Sequence, residues 1–231
     1  KALISSTRLI QRIRRSAELG LGEMNPQVQF EQVFERMRGR RAVIEPHDSK
    51  ERFENLGVDV FLGKARFVSP SKVVVDETEL EATHFVIATG TRPLIPPIPG
   101  LKDVPFYTNE TIFDEMPTAP KSLLILGGGP IGCEFAQIMS RLGVEVTVVE
   151  LLPRLLPRDD RSAAALIEKK FTDEGFRVLT GAKATRFSRA EAGIATTIER
   201  NGQAETVTTE ALLVATGRAP NIDELGLEAA G

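Results

Sequence analysis

The chain has 231 residues, 42% hydrophobic and 26% charged, with a formal net charge of −3 at pH 7. That is enough for one large domain or two small ones, with no global basic field to recruit nucleic acid. No apolar stretch approaches the ~20 residues that span a bilayer, KALISSTRLIQRIRR lacks the uninterrupted apolar core of a secretory signal, and a lone cysteine, Cys133, leaves no internal disulfide framework. The balance predicts a soluble, cytoplasmic protein with neither nucleic-acid nor membrane partners.

The first segment reads as a helix: Leu3, Ile10, Ile13 and Ala17 recur at helical spacing between arginines, and Gly20 and Gly22 end it. Asn25-Pro26 suits the cap and first turn of a second helix that buries Phe30, Val33, Phe34, Met37 and Ile44 before Pro46 stops it. Asp48 to Glu51 resembles a capping box for a short helix closed by Gly57. The basic run from Arg36 to Arg41 reads as the solvated face of the second helix, with a phosphate patch as the other reading. Val58–Leu62, Ala65–Val68 and Lys72–Asp76 are short strands in the pattern, and Thr83–Thr89 (THFVIAT) reads as a buried strand running into Gly90. Pro93 to Gly100 holds four prolines, a stiff connector. Pro117 and Pro120 mark a boundary, which predicts domains of residues 1–117 and 118–231.

From Lys121 the pattern alternates: strand 122–126, helix 130–142, strand 144–150, helix 160–174 opened by Asp159 or Asp160 and closed by Gly175, then strand 176–179. Ile194–Arg200 and Gln203–Thr209 flank Asn201-Gly202, a strong hairpin signal. Ala211–Thr216 is another buried strand running into Gly217. FVIATGTRP (85–93) and LLVATGRAPN (212–221) echo one another. The expected fold class is therefore α/β: two tandem Rossmann-like units, each three-layered with a parallel sheet and a β-meander, the first incomplete.

Gly127-x-Gly129-x-x-Gly132 follows a strand and opens a helix, the setting a dinucleotide motif requires. Gly127 permits the tight turn, Gly129 lets backbone approach a pyrophosphate, and Gly132 lets helix and strand pack closely. Pro130 suits the first turn and Ile131 follows it, while the helix N-terminus offers unpaired N–H donors and a partial positive charge. The next strand ends in Glu150, 23 residues beyond Gly127, where a carboxylate accepts from ribose hydroxyls and repels a 2′-phosphate. This favours NAD over NADP, although Arg154 and Arg158 stand near enough in sequence to hold a 2′-phosphate. Glu134 has two readings of equal weight, a complement to the helix dipole or a group reaching the reacting end of the cofactor. Cys133 reads as a small core residue, and His47 and His84 as structural.

Taken together, THFVIATGTRP, GGGPIGCEFA, VTVVE and LLVATGRAPN, in that order after the KALI helix, resemble the class I pyridine nucleotide-disulfide oxidoreductases. The branch is that of mercuric reductase and dihydrolipoamide dehydrogenase. The likeness spans essentially the whole chain, and IEPHDSKERFENLGVDVFLGKARFVSP is similar to mercuric-reductase-like members in particular.

The resemblance implies a flavoprotein with FAD and NAD, NADP being the lesser candidate, in which hydride passes from NADH to FAD and on to a small-molecule, disulfide or metal-ion acceptor. It also implies a homodimer for the full-length protein. Lys1 resembles the lysine that pairs beside the flavin with a glutamate like Glu134, Gly217 lies where the family lines the nicotinamide side, and Thr89, Gly90 and Arg92 resemble its FAD-side strand end. The family's first glycine motif and Cys-x4-Cys pair precede a segment like KALI, and its dimerisation domain follows one like ATGRAPN. The residues given are then the back half of an FAD domain plus an NAD(P) domain, expected to be catalytically incomplete by themselves. Two other readings stay open: a non-catalytic NAD-binding module, and a flavoprotein that reduces quinone or oxygen without a cysteine pair.

Overall fold

The computed structural model describes residues 1–231. In chain order the elements are α1 (Ala2–Arg14), α2 (Phe30–Ile44), α3 (Lys50–Asn55), β1 (Ala65–Ser69), β2 (Lys72–Val75), β3 (Thr78–Glu81), β4 (Thr91–Pro93) and α4 (Ile112–Glu115). There follow β5 (Ser122–Leu126), α5 (Pro130–Arg141), β6 (Glu145–Glu150), α6 (Arg161–Asp173) and β7 (Arg177–Thr180). Last come β8 (Ala182–Ala190), β9 (Gly193–Arg200), β10 (Gln203–Thr209), β11 (Ala211–Val214), β12 (Arg218–Pro220) and α7 (Leu227–Ala230). No helix is long and apolar enough to cross a membrane.

Contacts gather the chain into two units, Lys1–Arg40 with Pro93–Gly217, and Arg41–Arg92 with Arg218–Gly231. In the first, β11, β5, β6 and β7 lie side by side in that order, every pair parallel. Successive residues of a strand point to opposite faces. Leu123, Ile125, Val146, Val148 and Leu213 therefore meet one layer, with Phe135, Ala136 and Met139 of α5 and Phe171 of α6. Leu124, Leu126, Val149, Leu212 and Val214 meet the other, a meander of β8, β9 and β10 supplying Ala184, Phe187, Ile194 and Ile198. The three expected layers are present. Asn201 and Gly202 both take positive φ (53° and 75°), as a type I′ turn between β9 and β10 requires.

The compact units divide the chain differently from the expected 1–117 and 118–231. Leu3 of α1 and Phe30, Phe34 and Met37 of α2 belong to the same core as α5 and the sheet. Arg14 donates to the Arg141 carbonyl at 3.0 Å, and Arg141 makes a two-pronged, nearly buried ion pair with Glu174 at 3.0 and 3.1 Å. Two arginines of the basic run are helix tethers: Arg36 donates to the Ala2 carbonyl and Arg38 to that of Phe113. In the meander, on the other side of the sheet, one buried polar atom, the Thr196 hydroxyl of β9, has no hydrogen-bond partner.

The second unit holds the antiparallel meander β1–β2–β3 and the pair β4–β12. Phe67 donates its N–H to the Leu225 carbonyl at 2.7 Å, and Gly226 makes that approach possible, since a Cβ there would lie 2.7 Å from the Phe67 oxygen. Two expected strands are absent. Residues 83–89 form no strand, and Val86 is 92% exposed. Residues 58–62 are likewise irregular, with Leu62 exposed. An apolar run becomes a buried strand only when neighbours complete its hydrogen-bond ladder, and no strand of this chain flanks either run. The second helix begins at Phe30 rather than Pro26, and Ile44 is exposed. Ser49 caps α3 by accepting from the Arg52 N–H.

Candidate functional site

Ligands of open parallel sheets bind beyond the carboxyl ends of the strands, where the strand order reverses. Here the reversal falls at β5, with β6 on one side and β11 on the other. The glycine turn sits on that point. Gly127 has φ +112°, and a Cβ there would lie 2.4 Å from the Ala215 oxygen, so only glycine fits between β5 and the end of β11. A Cβ at Gly132 would lie 1.9 Å from the Gly127 oxygen; α5 can begin this close to the turn only without one. A Cβ built on Gly129, by contrast, would meet no heavy atom within 4 Å. The backbone there is open on its outer side, which leaves the room that a pyrophosphate needs.

Pro130 stands in the first turn of α5, with Gly129 as the N-cap. The first intrahelical bond runs from Cys133 N–H to the Gly129 oxygen at 2.9 Å, so the N–H groups of Gly129, Ile131 and Gly132 have no partner within the helix. They are donors for an anion.

Glu150, at the end of β6, is buried. Its Oε2 accepts from the Gly128 N–H at 2.6 Å and its Oε1 from the Leu152 N–H at 2.8 Å. Each oxygen retains lone-pair capacity, so the carboxylate ties the turn to β6 and can still accept from a ligand. Gly128, which the spacing does not single out, has no room for a side chain: a Cβ would lie 2.5 Å from Leu155 Cδ2 and 3.0 Å from Glu150 Cβ. Its carbonyl accepts from the Leu156 N–H at 2.8 Å and from the Cys133 thiol at 3.3 Å. Burial, followed by the field of the Glu150 carboxylate, pushes that thiol up to about 12. Cys133 is a neutral core residue at ordinary pH.

The family model for pyridine nucleotide-disulphide oxidoreductase matches residues 16–231. The chain belongs to this family. It is 38% identical to a dihydrolipoyl dehydrogenase of Thermus scotoductus over 75% of this chain and 38% of that protein. It is 37% identical to a mercuric reductase of Lysinibacillus sphaericus over 75% of this chain and 32% of that one. The crystal structure of LpdA from Mycobacterium tuberculosis superposes with a TM-score of 0.81 at 28% identity, covering all of this chain and 50% of its own. The chain thus spans half or less of the relatives it matches.

Other residues singled out in this pyridine nucleotide-disulphide oxidoreductase lie as follows. Glu134 sits past the first turn of α5, which contains no acidic residue, so the helix-dipole reading loses its geometric basis. It is exposed, as is Lys1. Their helices pack together, but no ion pair joins the two side chains. Gly217, with φ +137° and nothing within 4 Å of a built Cβ, is open; its carbonyl accepts from Leu94 N–H, and the neighbouring Thr216 hydroxyl donates to the Leu94 carbonyl. In the second unit Thr89 and Gly90 meet Asn221. The Thr89 hydroxyl donates to the Asn221 carbonyl at 2.7 Å, the Thr89 carbonyl accepts from its side-chain amide, and Gly90 O accepts from its N–H. Arg92 pairs with Asp223. Thr89, Arg92, Asn221 and Asp223 border a cleft of about 720 Å³ whose rim also carries Lys64, Arg66 and Asp76. His47 and His84 are exposed.

Proposed function

We propose that this chain is the dinucleotide-binding core of a flavin-dependent NADH oxidoreductase, whose complete form passes hydride from NADH to FAD and on to a disulfide or metal-ion acceptor. The observation that carries the reading is the start of α5, where three N–H groups without helix partners stand beside the open Gly129 at the point where the strand order reverses. Bound NADH supplies the hydride and bound FAD accepts it.

The chain's own residues bind and orient. The N–H groups of Gly129, Ile131 and Gly132 hold the pyrophosphate, and Pro130 starts the helix without competing for it. Glu150 accepts from the adenosine ribose through its remaining lone pairs and favours NADH over NADPH. Gly127 holds the turn closed, and Gly217 leaves room on the nicotinamide side. Lys1, the N-cap of α1, and Glu134 of α5 each place a charge toward the flavin, and Gly90, with φ +71° and no atom within 4 Å of a built Cβ, lines the flavin edge beside Thr89. Relatives named dihydrolipoyl dehydrogenase and mercuric reductase support the two acceptor classes. The complete protein is read as a cytoplasmic homodimer.

The test is anaerobic titration of the FAD-loaded, full-length protein. NADH is expected to bleach the flavin absorbance, and at lower concentration than NADPH does. A flavin that neither nucleotide reduces would overturn the reading.

A further inference from the structure

The segment after Glu150, LLPRLLPRDD, contains two arginines that spacing alone offers to a 2′-phosphate. The structure separates them. Arg154 Nη1 donates to the Leu156 carbonyl at 2.9 Å, and Nη2 donates to the carbonyls of Pro157 at 2.6 Å and Asp159 at 3.0 Å. Both hydrogens of Nη2 are thus committed to the protein's own backbone. Arg158 is exposed.

What the Arg154 fork encloses matters for the glycine turn. Leu155 is fully buried, with its Cδ2 against Gly128, and its N–H donates to Glu168 at 2.6 Å. Leu156 takes φ +46°, a left-handed conformation that costs a non-glycine residue energy and persists only where its surroundings over-determine it. In that conformation its N–H reaches the Gly128 carbonyl at 2.8 Å. A backbone turn, Asp159 N–H to the Leu156 carbonyl at 3.0 Å, closes the segment, and Arg154 reinforces it by gripping the carbonyls of Leu156, Pro157 and Asp159. A planar guanidinium suits such multi-point contact and a lysine ammonium does not.

We propose that Arg154 is a positioning residue for the dinucleotide site. By clamping residues 154–159 it presses Leu155 and Leu156 against Gly128 and so holds the phosphate-binding turn in register. It is not a ligand of a 2′-phosphate. This rests on the dinucleotide reading above.

The experiment measures Kd for NADH and NADPH by titration of the full-length protein carrying Arg154→Gln, Arg154→Lys or Arg158→Gln, with Tm recorded for each. Arg154→Gln is expected to weaken both nucleotides together by about ten-fold, because both share the turn. Arg154→Lys is expected to fail to restore them, and Arg158→Gln to leave NADH binding unchanged. A selective loss of NADPH in Arg154→Gln, unchanged affinities, or full rescue by lysine would each overturn the proposal.

Amide exchange in the wild-type protein tests the clamp without any variant. The Leu156 N–H should be protected well beyond that of the exposed Leu151, and exchange at the exposed-loop rate would also overturn it. Wild-type protein that binds neither nucleotide refutes the functional reading, whereas wild-type binding with an indifferent Arg154→Gln refutes only the clamp.

Discussion

Two stretches of this chain begin with nearly the same words and end as different structures. LLVAT (212–216) runs into Gly217 and FVIAT (85–89) into Gly90. The first, through Val214, lies in β11, pairs in parallel with β5 through Leu212–Leu124 and Leu213–Ile125, and has Leu212 fully buried. The second joins no sheet, held only by the Phe85–Phe67 edge contact and the Thr89–Asn221 hydrogen bonds, and Val86 is almost wholly exposed. Their local propensities match, so the difference is supplied by neighbours: a parallel strand is a property of the sheet that receives it. The second unit relies on surface contacts such as Arg92–Asp223, the first on buried ones such as Arg141–Glu174.

Mutation can sharpen this contrast. The largest effect is expected from Glu174→Ala, which strands the nearly buried Arg141 and should cost about 3–5 kcal/mol. Asp223→Asn, at an exposed pair, should cost under about 1 kcal/mol; chemical denaturation of both variants checks the difference, and equal losses would refute it. Next, Leu212→Ala should cost about 2–5 kcal/mol through lost burial and a cavity, while Val86→Ala should fall within about 0.5 kcal/mol of wild type. A comparable loss at Val86 would mean that the 85–89 run is packed in solution. Thr196→Val, which removes the unpartnered hydroxyl from the meander core, should stabilise by about 1 kcal/mol, read as a rise in Tm.

The smallest effect belongs to Cys133. Its thiol is raised from an ordinary 9.0 to about 12, so between those values the unfolded chain ionises while the folded one does not. Stability is therefore unaffected below pH 9 and is lost as pH rises toward 12. The stability difference between wild type and Cys133→Ala should be flat from pH 6 to 8 and turn against the wild type above about pH 9. A difference that changes below pH 8 would refute the neutral thiol.

The dinucleotide half was legible because its signals are local. The glycine spacing, the acidic strand end at Glu150, the Asp160 cap that accepts from the Ser162 and Ala163 N–H groups and the Asn201-Gly202 turn each carry their own stereochemistry. Strand β8 was missed because Ala182 and Ala184 give a weak apolar alternation, and a register shift between Ala184 and Arg186 breaks its period. Arg154's role was invisible for another reason: backbone carbonyls have no residue signature, so a cation bound to three of them reads in sequence as a free charge. The strands expected at 58–62 and 83–89 reflect the opposite error, in which apolar content stood in for partners that the topology does not supply.

The unpaired run from His84 to Ala88 has one more consequence. Its backbone N–H and C=O groups face no ladder, and Phe85, Val86 and Ile87 are β-prone and apolar, the combination that templates cross-strand growth between molecules. Glu79 and Glu81 stand on one side and Arg92 with Pro93 on the other, charged and proline gatekeepers of the kind that interrupt such growth. Self-association of these 231 residues is therefore expected to follow the balance between the five residues of this run and the four that flank it.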